Sequence, residues 1–117
     1  MWKNVALDAA AVALFALLAR IAHNTPEMPL SVGGWFGTML PFLAGTLAIY
    51  LLLPQVRRAP ARLGSGVAVW LGTAVAGLSI WGVRHGHVPH ISFIIVATVT
   101  SGLLLLGWRG VAAVRRR

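Results

Sequence analysis

Four long apolar runs constrain this chain more than any other feature of its sequence. A helix that crosses the hydrocarbon core of a bilayer needs roughly 20 apolar residues at about 1.5 Å rise per residue. The chain has four runs of about that length, at residues 5–22, 34–53, 66–83 and 91–108. None alternates apolar and polar residues with a period of two, as the strands of a transmembrane barrel do. The sequence therefore predicts an all-α integral membrane protein with one transmembrane domain over residues 1–117.

The linkers between the runs are short and contain proline, which ends or prevents helices. Pro26 and Pro29 lie in the first linker, Pro54 and Pro60 in the second, and Pro89 in the third. Short linkers favour antiparallel neighbours, so we expect a four-helix up-down bundle.

The first run has some features of a secretory signal, because a lysine precedes an apolar stretch. However, Asp8 lies inside that stretch and three further apolar runs follow it. A signal peptide has a shorter, uncharged apolar core, so we expect this run to be a permanent helix.

The charge composition excludes a soluble nucleic-acid-binding domain. The chain has 10 Lys and Arg, only 2 Asp and Glu, and a net charge of +8, but 58% of its residues are hydrophobic. Charged residues make up 10% of the chain, against about 25% in ordinary soluble domains. We therefore expect lipid, and not nucleic acid, to be the main partner.

The basic residues also predict orientation. With four spans, eight of the ten fall on one side of the membrane: Lys3, Arg57, Arg58, Arg62, Arg109, Arg115, Arg116 and Arg117. Because Lys and Arg in short loops are retained in the cytoplasm, both termini are predicted to be cytoplasmic. The protein is then expected in the inner (plasma) membrane, with this basic cluster beside anionic lipids at the inner face.

Asp8 is the one acidic residue within an apolar run. A carboxylate in the membrane is costly and suggests a functional role, such as coupling to protons or cations. Arg109 ends the fourth run at a similar depth, so a structural ion pair between Asp8 and Arg109 is the simpler interpretation.

Arg20, His23 and Arg84 are candidates for a ligand pocket on the opposite, extracytoplasmic side. Small residues recur at spacings of three and four along the first run, and this rhythm continues to Arg20 and His23. Both side chains are therefore expected to point inward. Guanidinium groups match carboxylate and phosphate geometry, although snorkelling to the interface or bonding to helix-end carbonyls would explain the arginines equally.

Three histidines, His85, His87 and His90, cluster in the third linker. Their spacing could hold zinc or copper, whereas pH sensing and an ordinary polar loop are the alternatives. No other cofactor is expected. The chain has no Cys, so a thiolate nucleophile or metal ligand is excluded.

The sequence does not predict an enzyme, because it contains no paired carboxylates and no glycine loop between a strand and a helix. Two classes of function remain. The chain could be a transporter or channel-like component that binds a small solute or lipid in the outer Arg/His pocket. It could instead be a non-transporting accessory subunit or scaffold. Four helices enclose little volume, so a homo-oligomer or a larger membrane complex is expected.

A set of residues spread over most of the chain carries a family resemblance. The matching positions are Asp8, Phe15, Arg20, His23, the segment 41–45, Val69, Trp70, the segment 77–84, Ser92, Phe93, Val96, Ala97 and the segment 107–109. Their order and spacing resemble the small bacterial and archaeal membrane proteins grouped as domain of unknown function 3054. Ala19 and Leu40 depart from the pattern, and the histidines of the third linker are outside it. The resemblance implies four transmembrane helices and no established activity.

Overall fold

The computed structural model describes residues 2–22, 31–88 and 91–115, and within these ranges every regular element is a helix. The elements are α1 (Trp2–Ala22), α2 (Val32–Leu52), α3 (Pro54–Arg58), α4 (Leu63–His85) and α5 (Ile91–Arg115). The four helices other than α3 are long and apolar enough to cross a membrane. The prediction of an all-α protein with four spanning helices is confirmed, and the chain is a multi-pass membrane protein.

Two of the helices extend clearly beyond the apolar runs that predicted them. α4 begins at Leu63 and α5 continues to Arg115. Local capping is seen at two ends: the Ser31 hydroxyl accepts a hydrogen bond from the Gly34 amide at 2.9 Å at the start of α2, and Gly86 ends α4 with φ +72°. Such a left-handed conformation favours glycine at a helix end.

The second linker contains the short helix α3, which the apolar runs of the sequence do not predict. Pro54 occupies the first turn of α3, where its missing amide hydrogen costs nothing. Arg57 then donates from Nη1 to the carbonyl oxygens of Tyr50 at 2.6 Å and Leu51 at 2.7 Å. These bonds satisfy carbonyls that the end of α2 leaves without helical partners.

The four long helices form a ring in which each packs against two neighbours. The backbone of α1 lies beside those of α2 and α5, and α4 lies beside the same two helices. Among the described residues, the diagonal pairs α1–α4 and α2–α5 have no close backbone approach. This arrangement confirms the predicted up-down bundle. The molecule measures 46 × 26 × 23 Å, so its long axis exceeds the roughly 30 Å thickness of a hydrocarbon core.

Glycine allows α2 and α4 to approach each other closely. A Cβ added to Gly45 would lie 2.5 Å from the Gly72 carbonyl oxygen and 2.7 Å from the Ala76 Cβ. One added to Gly77 would lie 2.2 Å from the Phe42 ring. These small residues therefore serve packing within the chain, as close helix contacts in lipid require.

Large apolar side chains cover the outside of all four long helices. Examples are Leu18 on α1, Leu51 on α2, Val75 on α4 and Leu103 on α5, which are 41%, 76%, 64% and 69% exposed. A surface of this kind suits contact with lipid.

Candidate functional site

Asp8 of α1 and Arg109 of α5 form a buried ion pair near one end of the bundle. Both side chains are fully buried. Arg109 donates from Nη2 to Asp8 Oδ2 at 2.7 Å and from Nη1 to Oδ1 at 2.9 Å. This two-bond geometry is the strong form of the guanidinium–carboxylate contact. The structure thus brings together the two residues for which the sequence suggested either pairing or coupling to protons or cations.

Two aromatic residues complete the coordination of the Asp8 carboxylate. The Tyr50 hydroxyl donates to Oδ2 at 2.5 Å, and Trp108 Nε1 donates to Oδ1 at 2.8 Å. Neither role was predicted from the sequence, although the position of Trp108 next to Arg109 is a signal that could have indicated one of them. With four donors on one carboxylate, α1, α2 and α5 are held together at this end.

The remaining donors of Arg109 bond two backbone carbonyls and the Tyr50 hydroxyl, which lies 3.5 Å from Nη2. Its Nη1 donates to the Leu105 carbonyl at 2.9 Å and its Nε to the Pro60 carbonyl at 2.8 Å. The Arg109 side chain fits against α4 because residue 66 is glycine. A Cβ at Gly66 would lie only 2.6 Å from Arg109 Cδ. A buried charge needs this complete set of partners. We name Asp8, Tyr50, Trp108 and Arg109 the ion-pair cluster.

Aromatic rings fill the bundle between its two ends. Phe42 makes edge-to-face contacts with Phe15 at a centroid distance of 4.7 Å and with Phe93 at 6.3 Å. All three phenylalanines are buried. On the ion-pair side of this layer, the Thr46 and Thr73 hydroxyls bond each other at 2.5 Å. The centre of the bundle is therefore tightly packed.

Arg20 and Arg84 both bind to α2 at the opposite end of the bundle. Arg20, buried on α1, donates from Nε to the Thr38 hydroxyl at 2.7 Å. Arg84, exposed on α4, donates from Nη1 to the Gly37 carbonyl at 2.9 Å. Two cations from different helices thus contact consecutive residues of α2. His23, the third residue predicted for this pocket, lies outside the described residues. We name Arg20 and Arg84 the outer arginine pair.

Trp81 lies one turn before Arg84 on α4. Its side chain is 5% exposed, and its indole N–H has no acceptor among the described residues. Buried polar groups are nearly always hydrogen-bonded. The Trp81 indole N–H is therefore a donor near the outer arginine pair that could bind a further acceptor.

The histidines predicted as metal ligands pack against the same tryptophan. The His85 ring stacks on Trp81 at a centroid distance of 4.0 Å, and the His87 ring meets Trp81 edge-on at 5.3 Å. His85 Nδ1 also lies 2.9 Å from the Trp81 carbonyl oxygen. The two imidazole centroids are 6.4 Å apart, and His90 is outside the described residues. Within the described ranges no group of three or more His, Cys, Asp or Glu side chains could hold a metal.

Comparison with known proteins places the whole bundle in one family. The family model described as "Protein of unknown function (DUF3054)" matches residues 5–112. The chain is also similar to the potassium-binding subunit of a potassium-transporting ATPase from Caulobacter vibrioides, with 31% identity over 123 aligned positions. That alignment covers 96% of this chain, which spans only 20% of the length of the relative. No solved structure matches the chain.

Proposed function

The chain belongs to the DUF3054 family, and since the family's description names no activity, we propose a function from the geometry itself. We propose that the protein is a non-enzymatic, transporter- or channel-like membrane component. Its outer arginine pair binds the carboxylate or phosphate of a small solute or lipid. This end is extracytoplasmic in the orientation that the positive-inside rule predicts.

One observation carries this proposal: Arg20 and Arg84, from different helices, bond the consecutive residues Thr38 and Gly37 of α2. The two contacts hold guanidinium groups of α1 and α4 against the same turn of α2, so this end of the bundle carries two cations on one patch. Arg84 is exposed, which gives a solute access, and the guanidinium fork fits carboxylate and phosphate oxygens. The buried indole N–H of Trp81 supports the proposal as a further donor at the same end.

Transport would require a path that the packed centre of one bundle does not offer. The layer of Phe15, Phe42 and Phe93 fills the core. We therefore propose that passage occurs at a contact between copies in a homo-oligomer, or with a partner in a larger complex.

A second candidate function is a non-transporting accessory subunit. The similarity to about one fifth of a larger potassium-binding subunit favours it, because the relative is by name part of a multi-subunit ATPase. The fully bonded ion-pair cluster also suits a rigid scaffold.

The binding proposal is tested with inorganic phosphate as the probe. The purified chain is unfolded by heat in detergent, with phosphate or with chloride at matched ionic strength. Because a ligand that binds only the folded state stabilises it, phosphate should raise the midpoint above the chloride value for the wild type. Arg84→Gln should lose this difference. Arg58→Gln, which removes one charge at the other end of the bundle, should retain it.

Equal phosphate effects on Arg84→Gln and Arg58→Gln would refute the binding site. Ion and solute flux into proteoliposomes then separates the two candidates. Flux that falls in Arg84→Gln supports the transport component. Phosphate binding without any flux supports the accessory subunit.

A further inference from the structure

A groove runs between α1 and α5 at the end of the bundle that holds the ion-pair cluster. Its volume is about 660 Å³. Its lining includes Lys3 and Leu7 from the first turns of α1, Ala61 from the linker before α4, and Trp108, Val111 and Arg115 from the last turns of α5.

The groove is basic at one end and apolar at the other. Lys3 and Arg115 are both exposed, and no acidic residue is among the lining residues. On α1, Leu7 lies four residues deeper than Lys3, and on α5, Val111 lies four residues deeper than Arg115. At about 1.5 Å rise per residue, each apolar side chain begins about 6 Å further into the membrane than the charge beside it.

A phospholipid has the same order of groups, with a charged phosphate at the interface and acyl chains below it. The groove opens on the lipid-facing side of a membrane protein, where Leu7 and Val111 are 39% and 60% exposed. Two positive charges without a lining acid select a headgroup with net negative charge.

We infer that this groove is a specific site for an anionic phospholipid. The lipid phosphate lies between Lys3 and Arg115, and an acyl chain lies along Leu7 and Val111. The site is at the opposite end of the bundle from the outer arginine pair and does not depend on the proposed function.

Trp108 connects this site to the core of the bundle. It lines the groove, and its Nε1 donates to Asp8 at 2.8 Å. The Arg109 guanidinium carbon lies 4.4 Å from the centre of the Trp108 ring. A lipid that packs against the ring therefore restrains the hydrogen bond to the ion pair, and occupancy of the groove stabilises the fold.

Native mass spectrometry of the full chain, with equal amounts of phosphatidylglycerol and phosphatidylcholine of identical acyl chains, tests the headgroup preference. The wild type should retain phosphatidylglycerol preferentially. In the double variant Lys3→Gln/Arg115→Gln, the preference for phosphatidylglycerol over phosphatidylcholine should fall roughly tenfold or more. This estimate follows from the usual contribution of each basic residue near an anionic surface. The matched variant Arg58→Gln/Arg62→Gln removes equal charge from the same end outside the groove and should keep it.

Three results would overturn the site. The wild type could retain both lipids equally, or the two double variants could lose the preference equally, which indicates diffuse surface charge. Displacement of phosphatidylglycerol by excess glycerol phosphate would refute the role of the acyl chain.

A second experiment uses the unmodified protein and so does not depend on variants that fold. Phosphatidylglycerol with a photoactivatable group in its acyl chain is cross-linked in detergent, and the labelled peptides are mapped. Labels should concentrate on Leu7 of α1 and on residues 108–112 of α5. Even labelling of other exposed apolar side chains, such as Leu47 of α2 and Leu71 of α4, would contradict the proposal.

Discussion

At the scale of single residues, the buried guanidinium group of Arg109 depends most strongly on its hydrogen-bond partners. It is a fully buried cation in a chain surrounded by lipid. Its stability depends on the bidentate contact with Asp8 and on the carbonyls of Leu105 and Pro60. A buried charge that loses its counter-charge destabilises the fold strongly, whereas removing both charges together is often tolerated.

Asp8→Asn should lower the free energy of unfolding by about 3–5 kcal/mol, because Arg109 keeps its charge while its partner becomes neutral. The measurement is chemical or thermal unfolding in detergent. The double variant Asp8→Leu/Arg109→Met removes both charges and keeps apolar volume, so it should recover part of the loss. Recovery is not complete because the Tyr50 hydroxyl and the Trp108 N–H lose their acceptor.

A different result would support coupling to protons or cations instead. If Asp8→Asn unfolds at the wild-type midpoint but loses solute flux selectively, then the carboxylate acts in transport and the structural interpretation of the pair is wrong.

At the scale of helices, the contact between α2 and α4 depends on backbone approach. The Gly45 site faces the Gly72 carbonyl oxygen, and a backbone atom cannot move aside as a flexible side chain can. Helix association in lipid has little hydrophobic driving force, so this close contact contributes directly to the stability of the bundle.

Gly45→Ala should destabilise the bundle by about 1–3 kcal/mol, the usual cost of overpacking a close contact. The control is Gly107→Ala on α5, where an added Cβ meets nothing within 4 Å. Alanine has the higher helix propensity, so the control should not lose stability. Equal effects in an unfolding assay would show that the α2–α4 contact can relax.

At the scale of the whole molecule, the two ends of the bundle differ in chemistry. One end holds the ion-pair cluster, the basic groove and most of the described basic residues. The other holds the outer arginine pair and the histidines packed on Trp81. The predicted orientation, with both termini in the cytoplasm, places the first end inside the cell and the second outside it.

Because the chain has no Cys, single cysteines can test this orientation directly. Val88 is 79% exposed at the outer end, and Gln55 is exposed at the inner end. In intact spheroplasts a membrane-impermeant maleimide should label Val88→Cys but not Gln55→Cys. Permeabilisation should make both reactive. The reverse pattern would invert the topology and place the arginine pair in the cytoplasm.

The sequence by itself determined the number and type of the spanning elements. A backbone in lipid must satisfy its own hydrogen bonds, so each apolar run of about 20 residues is expected to be a helix. That argument is local and needs only the identity of neighbouring residues. The same local information identified Asp8, Arg109, Arg20 and Arg84 as the charges that need an explanation.

Only the tertiary structure decided which side chains meet. Tyr50 and Trp108 reach the Asp8 carboxylate from 42 and 100 residues away along the chain. Arg20 and Arg84 contact adjacent residues of α2. Such contacts depend on the rotation of each helix about its axis and on the relative heights of its neighbours. Long-range packing determines both the rotation and the height of each helix. The hydropathy of a single run gives no information about either.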